Sequence, residues 1–310
     1  MHPTLPTPTG EQHSWTEALT QHERAARRLE GSADQWGVFQ QCPYLYWWLY
    51  VKKMRPEPLS PIPEINSLYY EARARYAQLC LDNTSDDGEL LVPPDELALG
   101  CREAAFDLLK RTAGAAPGTT AIVWRLFEAW LLRTGSGTTV DQSHSLYGVG
   151  TILKMTTPFP YTALIDLWHW DVDYGGPRIW RVRTSAHRSQ DLVDSYRMDP
   201  KFLGQMYMWR KLMTRKWGPL RGYEVDLITR GKSPRHSHES VPVNWRVVGL
   251  WEKSMRSLYV ELVQCQATGN WPRHMSWRCS RGRTACRLYG HCASAGRVTT
   301  GWRKKRRGEI

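Results

Sequence analysis

The sequence predicts an α/β fold in which a sheet is flanked by helices and follows a largely helical first part. Three observations carry this. Residues 145–155 (SLYGVGTILKM) and 163–174 (ALIDLWHWDVDY) alternate in polarity with the period of a strand. Gly175 and Gly176 then supply a turn, and IWRVRTS returns as a second strand of a hairpin. Segments with helical spacing lie on both sides, at 65–133 before the strands and at 199–217 and 252–267 after them.

The elements follow in order. Residues 1–14 are rich in Pro and Thr and read as a loose arm, and 15–31 as a charged helical stretch. Ser32 caps a helix running through Trp36, Phe39, Tyr44, Trp47 and Leu49 to Val51, which Pro43 kinks or restarts. RPEPLSPIPE (55–64) reads as an irregular linker. Helices are expected at 65–81, 96–113 and 119–133, with an acidic loop at 82–95. After the hairpin, the helix at 199–217 stops at Gly218, and GYEVDLITR (222–230) is a further strand. GKSPRHSHES reads as a charged loop leading through VNWRVVGLW to the helix at 252–267, and the basic tail GWRKKRRGEI as mobile. The domain plan is an arm over 1–31, one domain over 32–293 and a tail over 294–310. Within the domain, the helical part is about 65–133, the sheet core about 145–250 and a cysteine lobe 271–293.

Composition narrows the function classes. With 41% hydrophobic residues in 310, a sizeable core forms. The net charge of +12, from 42 basic and 30 acidic residues, favours an anionic partner, DNA first. The 16 tryptophans suit a core and equally suit stacking on bases. No apolar run approaches the roughly 20 residues of a membrane span, and the N-terminus lacks a signal-peptide layout. An intracellular, reducing compartment is expected.

Cysteine placement is the sharpest signal. Cys42 sits in QCPYLYWW, while Cys279, Cys286 and Cys292 sit in WRCSRGRTACRLYGHC with six and then five residues between them. Four thiolates suit one iron–sulfur cluster or one zinc ion. Cys80, Cys101 and Cys265 show no paired spacing, which argues against a disulfide framework. His274 and His291 read as surface histidines.

The CP helix CPYLYWWLYVKKMRP, the helical region, the hairpin, and the terminal NWPRHMSWRCSRGRTACRLYGHC together resemble the PD-(D/E)XK nuclease superfamily, in its RecB-like branch with a cysteine-bound iron–sulfur cluster. The resemblance covers roughly 32–293. It implies a restriction-endonuclease-like mixed central sheet flanked by helices, an inserted helical subdomain and a Cys-cluster C-terminal lobe. It further implies a [4Fe–4S] cluster on Cys42, Cys279, Cys286 and Cys292, with zinc as the alternative.

The resemblance also places a hydrolytic centre in which carboxylates bind Mg²⁺ and a lysine orients the attacking water. Asp166 in ALID stands at the first acid. Arg181 stands at the second acid and Arg183 at the lysine, and Thr184 fits the pattern. Two guanidinium groups two residues apart on a strand share a face and cannot ligate a cation. Asp166 is therefore a leftover metal ligand or a partner of Arg181 or Arg183. The two arginines are phosphate contacts or a neutralised strand face. The helical G-x-x-x-H pattern falls on Asn66 and Tyr70. The Q-x-x-x-Y pattern falls on Lys201 and Gln205, or on Gln205 and Trp209 in another register.

The function this implies is a catalytically degenerate nuclease homologue that binds DNA, through Arg181, Arg183 and Lys201, or binds a DNA-processing protein partner. One alternative is an active Mg²⁺- or Mn²⁺-dependent exonuclease or endonuclease with ligands relocated to Glu128 or Asp171. Asp171 and Asp173 lie near the turn and are expected to be solvent-exposed. The other alternative is a structural or assembly protein retaining only the fold. The arginines of the cysteine segment (Arg273, Arg278, Arg281, Arg283, Arg287) add to the basic surface.

Overall fold

A computed structural model describes residues 31–56, 69, 78, 82–83, 103, 121–126, 144–171, 174–185, 194–229, 236–274, 286, 292 and 302–304. The chain divides into two compact units. Unit 1 comprises Met1–Ala26, Pro61–Leu153 and Ala163–Val248, and unit 2 comprises Arg27–Ser60, Lys154–Thr162 and Gly249–Ile310.

The core of unit 1 is a five-stranded sheet in the order β2 (His144–Met155), β3 (Tyr161–Asp171), β4 (Gly176–Ser185), β5 (Gly222–Thr229) and β6 (His236–Pro242). β3 and β4 form the expected antiparallel hairpin, β4 and β5 are parallel, and β5 and β6 are antiparallel. The sheet is therefore mixed, and helices flank it, as the α/β expectation requires. Parallel strands need a crossover. Here it runs through a 3₁₀ turn (Tyr196–Met198), helix α3 (Pro200–Met208), a π-helical turn (Trp209–Met213) and helix α4 (Thr214–Trp217). Asp199 caps α3 by accepting the Lys201 N–H at 2.7 Å, with Pro200 in the first turn. Gly218, at φ +79°, ends α4 as the sequence predicts.

α3 packs by aromatic contact. Phe202 stacks on Tyr223 with centroids 4.6 Å apart, and Trp168 meets Trp209 and Trp217 edge-on at 5.2 and 4.8 Å. Trp209 is fully buried, so truncation to alanine costs about 3–5 kcal/mol. The Trp168 indole lies against Gly148 of β2, where any Cβ would collide with it.

In unit 2, helix α1 (Ala33–Gln41) begins with a capping box, in which Ser32 and Gln35 exchange side-chain-to-backbone bonds at 3.3 Å. It stops at Cys42, whose backbone is extended (φ −165°, ψ 108°) because Pro43 disfavours the helical region for its predecessor. Pro43 restarts the chain as α2 (Pro43–Tyr46), which widens into a π-helical turn (Trp47–Val51). The Trp36 indole donates to the Pro160 carbonyl at 3.1 Å. Helix α5 (Trp245–Thr268) buries Trp251, Met255, Leu262 and Cys265 at helical spacing. Trp251 meets Phe159 and Tyr161 edge-on. Burial pushes the Cys265 thiol pKa up.

Four expectations are corrected. Arg55 and Pro56 belong to strand β1 (Met54–Pro56) rather than to a wholly irregular linker. Their partner is β7 (Trp302–Lys304) in the tail expected to be mobile. Backbone pairing supplies the order that side-chain patterning does not announce. The HSHES part of the charged loop is strand β6, where polar residues are tolerated because it is a sheet edge. α5 starts at Trp245 rather than 252, because Asn244 accepts the Arg246 and Val247 N–H groups at 3.2 Å each. Of the predicted helical part, 121–126 is helical. Most of 65–81 and 96–113, and all of the 15–30 stretch, lie outside the described residues. Among the described residues no helix is long and apolar enough to cross a membrane.

Candidate functional site

The unit 1 sheet carries ionised groups on both faces. Alternation along β3 sends Asp166 to one face and His169 and Asp171 to the other. On the first face, the Arg181 Nε lies 3.6 Å from Asp166 Oδ2, with side-chain exposures of 13% and 31%. The Arg181 guanidinium also sits 5.6 Å from the Phe202 ring centre, so α3 helps to aim it. Asp166 is thus engaged by a cation that cannot be displaced by deprotonation.

The remaining predicted residues separate into groups. Arg183 pairs through its backbone with Leu227 of β5, while its side chain lies outside the described residues. Gln205 is 3% exposed. Its Oε1 accepts the Tyr223 hydroxyl at 2.7 Å, and its Nε2 donates to the Leu164 carbonyl. Both ends of the amide therefore tie α3 to the sheet. Lys201 is half-buried in the first turn of α3, and Trp209 is core. Asn66, Tyr70, Glu128 and Asp173 lie outside the described residues.

The second face holds a network that the sequence reading missed. Arg178 of β4 reaches Asp171 Oδ2 at 3.2 Å and Glu224 Oε1 at 3.1 Å, and it donates to the Ser240 hydroxyl. Glu224 of β5 also lies 3.4 Å from His169 Nε2. Asp226 accepts the Trp180 indole N–H at 2.6 Å and sits 2.9 Å from His238 Nδ1. The hydrogen bond to Asp226 raises the His238 pKa above its usual value; burial opposes it, and the charges of Asp226 and Glu224 reinforce it. Asp171 is 1% exposed, which overturns the expectation of a solvent-exposed carboxylate near the turn. Arg178 is the reason, since it neutralises the carboxylate inside the protein. Asp171 faces away from Asp166 and is committed to Arg178. The missed signal was period-two spacing of ionisable groups: His169 and Asp171, Glu224 and Asp226, His236 and His238.

In unit 2, Cys42, Cys286 and Cys292 are all half-buried, and Cys279 lies outside the described residues. The helix that follows Cys42 touches the segment leading to the late cysteines. Tyr44 N–H donates to the Pro272 carbonyl at 3.1 Å, and Tyr46 stacks on Trp271 with centroids 6.1 Å apart. Among the described residues no group of three or more His, Cys, Asp or Glu side chains is gathered to hold a metal ion.

Comparison with known proteins adds the fold. No family model matches the chain, and no curated protein matches it. A crystal structure described as "Putative exonuclease" from Eubacterium rectale is similar, with a TM-score of 0.50 and 11% identity over 91% of this chain and 94% of that chain. At that identity the likeness concerns the fold alone, a mixed sheet flanked by helices.

Proposed function

We propose that this chain is a nuclease-fold protein whose hydrolytic position has become cationic, and that it acts by binding DNA or a protein partner that processes DNA. The supporting observation is the Asp166–Arg181 ion pair at 3.6 Å. Mg²⁺ requires several oxygen ligands in near-octahedral order. A carboxylate held by a guanidinium does not fit that ion. An arginine in a partly exposed position is instead suited to a phosphate oxygen, which it binds through charge-assisted hydrogen bonds. The +12 net charge acts in the same direction.

Linear and single-stranded DNA incubated with Mg²⁺ or Mn²⁺ are expected to remain intact. Cleavage that disappears in Asp166→Ala would reject this reading. DNA binding is expected at low salt and should weaken steeply as salt rises. Arg181→Ala should reduce it. No binding at low salt leaves only a scaffold role.

The reading includes a structural [4Fe–4S] cluster on Cys42, Cys279, Cys286 and Cys292. The chemistry of four thiolates and the Tyr44–Pro272 hydrogen bond support it. Bound there, the cluster would crosslink chain segments far apart in sequence, so its binding energy would be folding energy for unit 2. Anaerobic purification should yield a brown protein containing iron and sulfide. A colourless protein with zinc, or with no metal, would refute the cluster, as would a Cys286→Ser variant that keeps its full metal content.

A further inference from the structure

We propose that unit 2 carries a stacking platform for single-stranded nucleic acid, built from Tyr44, Trp47 and Trp48 and flanked by Lys52 and Arg273. Helix α1 ends at the extended Cys42 and Pro43 restarts the chain, so Tyr44, Trp47 and Trp48 lie together on α2 and the π-helical turn that follows it. Their side chains are half-buried, and Val51, at the end of the same turn, is 46% exposed.

Their geometry suits base stacking. Tyr44 and Trp47 are nearly parallel, at 28° with centroids 5.5 Å apart, and Trp48 is tilted 31° to Tyr44 at 6.4 Å. Cations border the rings. Lys52 Nζ lies 5.0 Å from the Trp47 ring centre, and the Arg273 guanidinium 4.5 Å from that of Tyr44. Lys52, Lys53 and Arg273 are exposed. The β1–β7 register sets Arg55 opposite Arg303 and Met54 opposite Lys304. No acidic residue occurs from Gln35 to Pro56.

Rings with adjacent cations match a ligand that offers exposed π-faces and a phosphate backbone together. Single strands do so, whereas a duplex hides its base faces inside the stack. The platform belongs to unit 2 and does not depend on the Arg181 reading, which concerns unit 1.

The test uses the full-length protein with fluorescein-labelled oligothymidylate of about 20 nucleotides, long enough for a groove of this kind. A ribo-oligomer and a duplex of equal length serve as the other arms. Anisotropy should report tighter binding to the single strands than to the duplex, with quenching of tryptophan emission. Trp47→Leu is expected to weaken single-strand binding roughly 5- to 150-fold, the range of base–aromatic stacking, with Trp47→Phe recovering most of it. Lys52→Glu with Arg273→Glu should weaken it and lower its salt dependence. Equal or better binding to the duplex would overturn the proposal, as would unchanged binding by Trp47→Leu. If Trp47→Leu loses its circular dichroism signal, the charge-reversed pair decides, and unchanged binding there overturns the proposal. Arg181→Ala tests the unit 1 reading separately. A single-strand deficit confined to the Trp47 and Lys52–Arg273 variants identifies the platform, and one confined to Arg181→Ala overturns it.

Discussion

On one face of the unit 1 sheet, Asp166 and Arg181 form a pair whose carboxylate solvent still reaches. On the other, Arg178, Asp171 and Glu224 are joined in a network with exposures of 4%, 1% and 10%. Strands β3 and β4 contribute to both, and β5 adds Glu224 to the second. Asp166 keeps 31% of its side-chain exposure, so water still reaches its carboxylate. Asp171 and Glu224 have given up most of their hydration and depend on Arg178. The comparison teaches that ion pairs on the two faces of one sheet differ in how much of the desolvation was completed during folding.

Arg178→Met is expected to have the largest effect. It leaves Asp171 and Glu224 without their buried cation and should cost about 3–5 kcal/mol, read as a lower urea midpoint. A loss below about 1 kcal/mol would erase the distinction between the faces.

Asp226→Asn comes next. It weakens acceptance from the Trp180 indole inside the network and should cost about 1–3 kcal/mol. It also removes the main cause of the raised His238 pKa. In the native protein, protonated His238 stabilises the fold fully below the unfolded value of 6.5, and that contribution fades as pH rises through the higher folded value. Urea titrations from below pH 6.5 upward should show this decline in the native protein and a flatter profile in Asp226→Asn.

The smallest effect belongs to the first face. Arg181→Ala should cost less stability than Arg178→Met, because the Asp166 carboxylate it leaves behind is 31% exposed and can be solvated, while reducing DNA binding in proportion to one lost phosphate contact. A double-mutant cycle on Asp166 and Arg181, set beside one on Glu224 and Arg178, measures the contrast directly. Equal coupling energies would break it.

Local rules were readable from the residues themselves. Ser32 before an amphipathic run and Gly218 after one act through neighbours in the chain, so the start of α1 and the end of α4 were visible beforehand, whereas Pro43 announced a kink or a restart and the structure made it a restart after an extended Cys42. The β3–β4 hairpin was visible for the same reason. β6 was not, because HSHES is polar throughout and becomes a strand only by pairing with β5. β1 and β7 were invisible too, being three-residue segments ordered by each other. The Asp166–Arg181 pairing was foreseeable from hairpin geometry, whereas the network around Arg178 joins four strands, and its members lie up to 71 positions apart, from His169 to Ser240.

By itself, the amino-acid order determined the strand alternation, the helix caps and the excess of positive charge, since each depends on residue type and short-range spacing. Only the tertiary structure decided which carboxylates are buried and which cation each one meets. Asp166 and Asp171 are the same residue type on the same strand, five positions apart. Their fates differ because strand parity turns them to opposite faces, and the surrounding fold leaves water against one and withdraws it from the other.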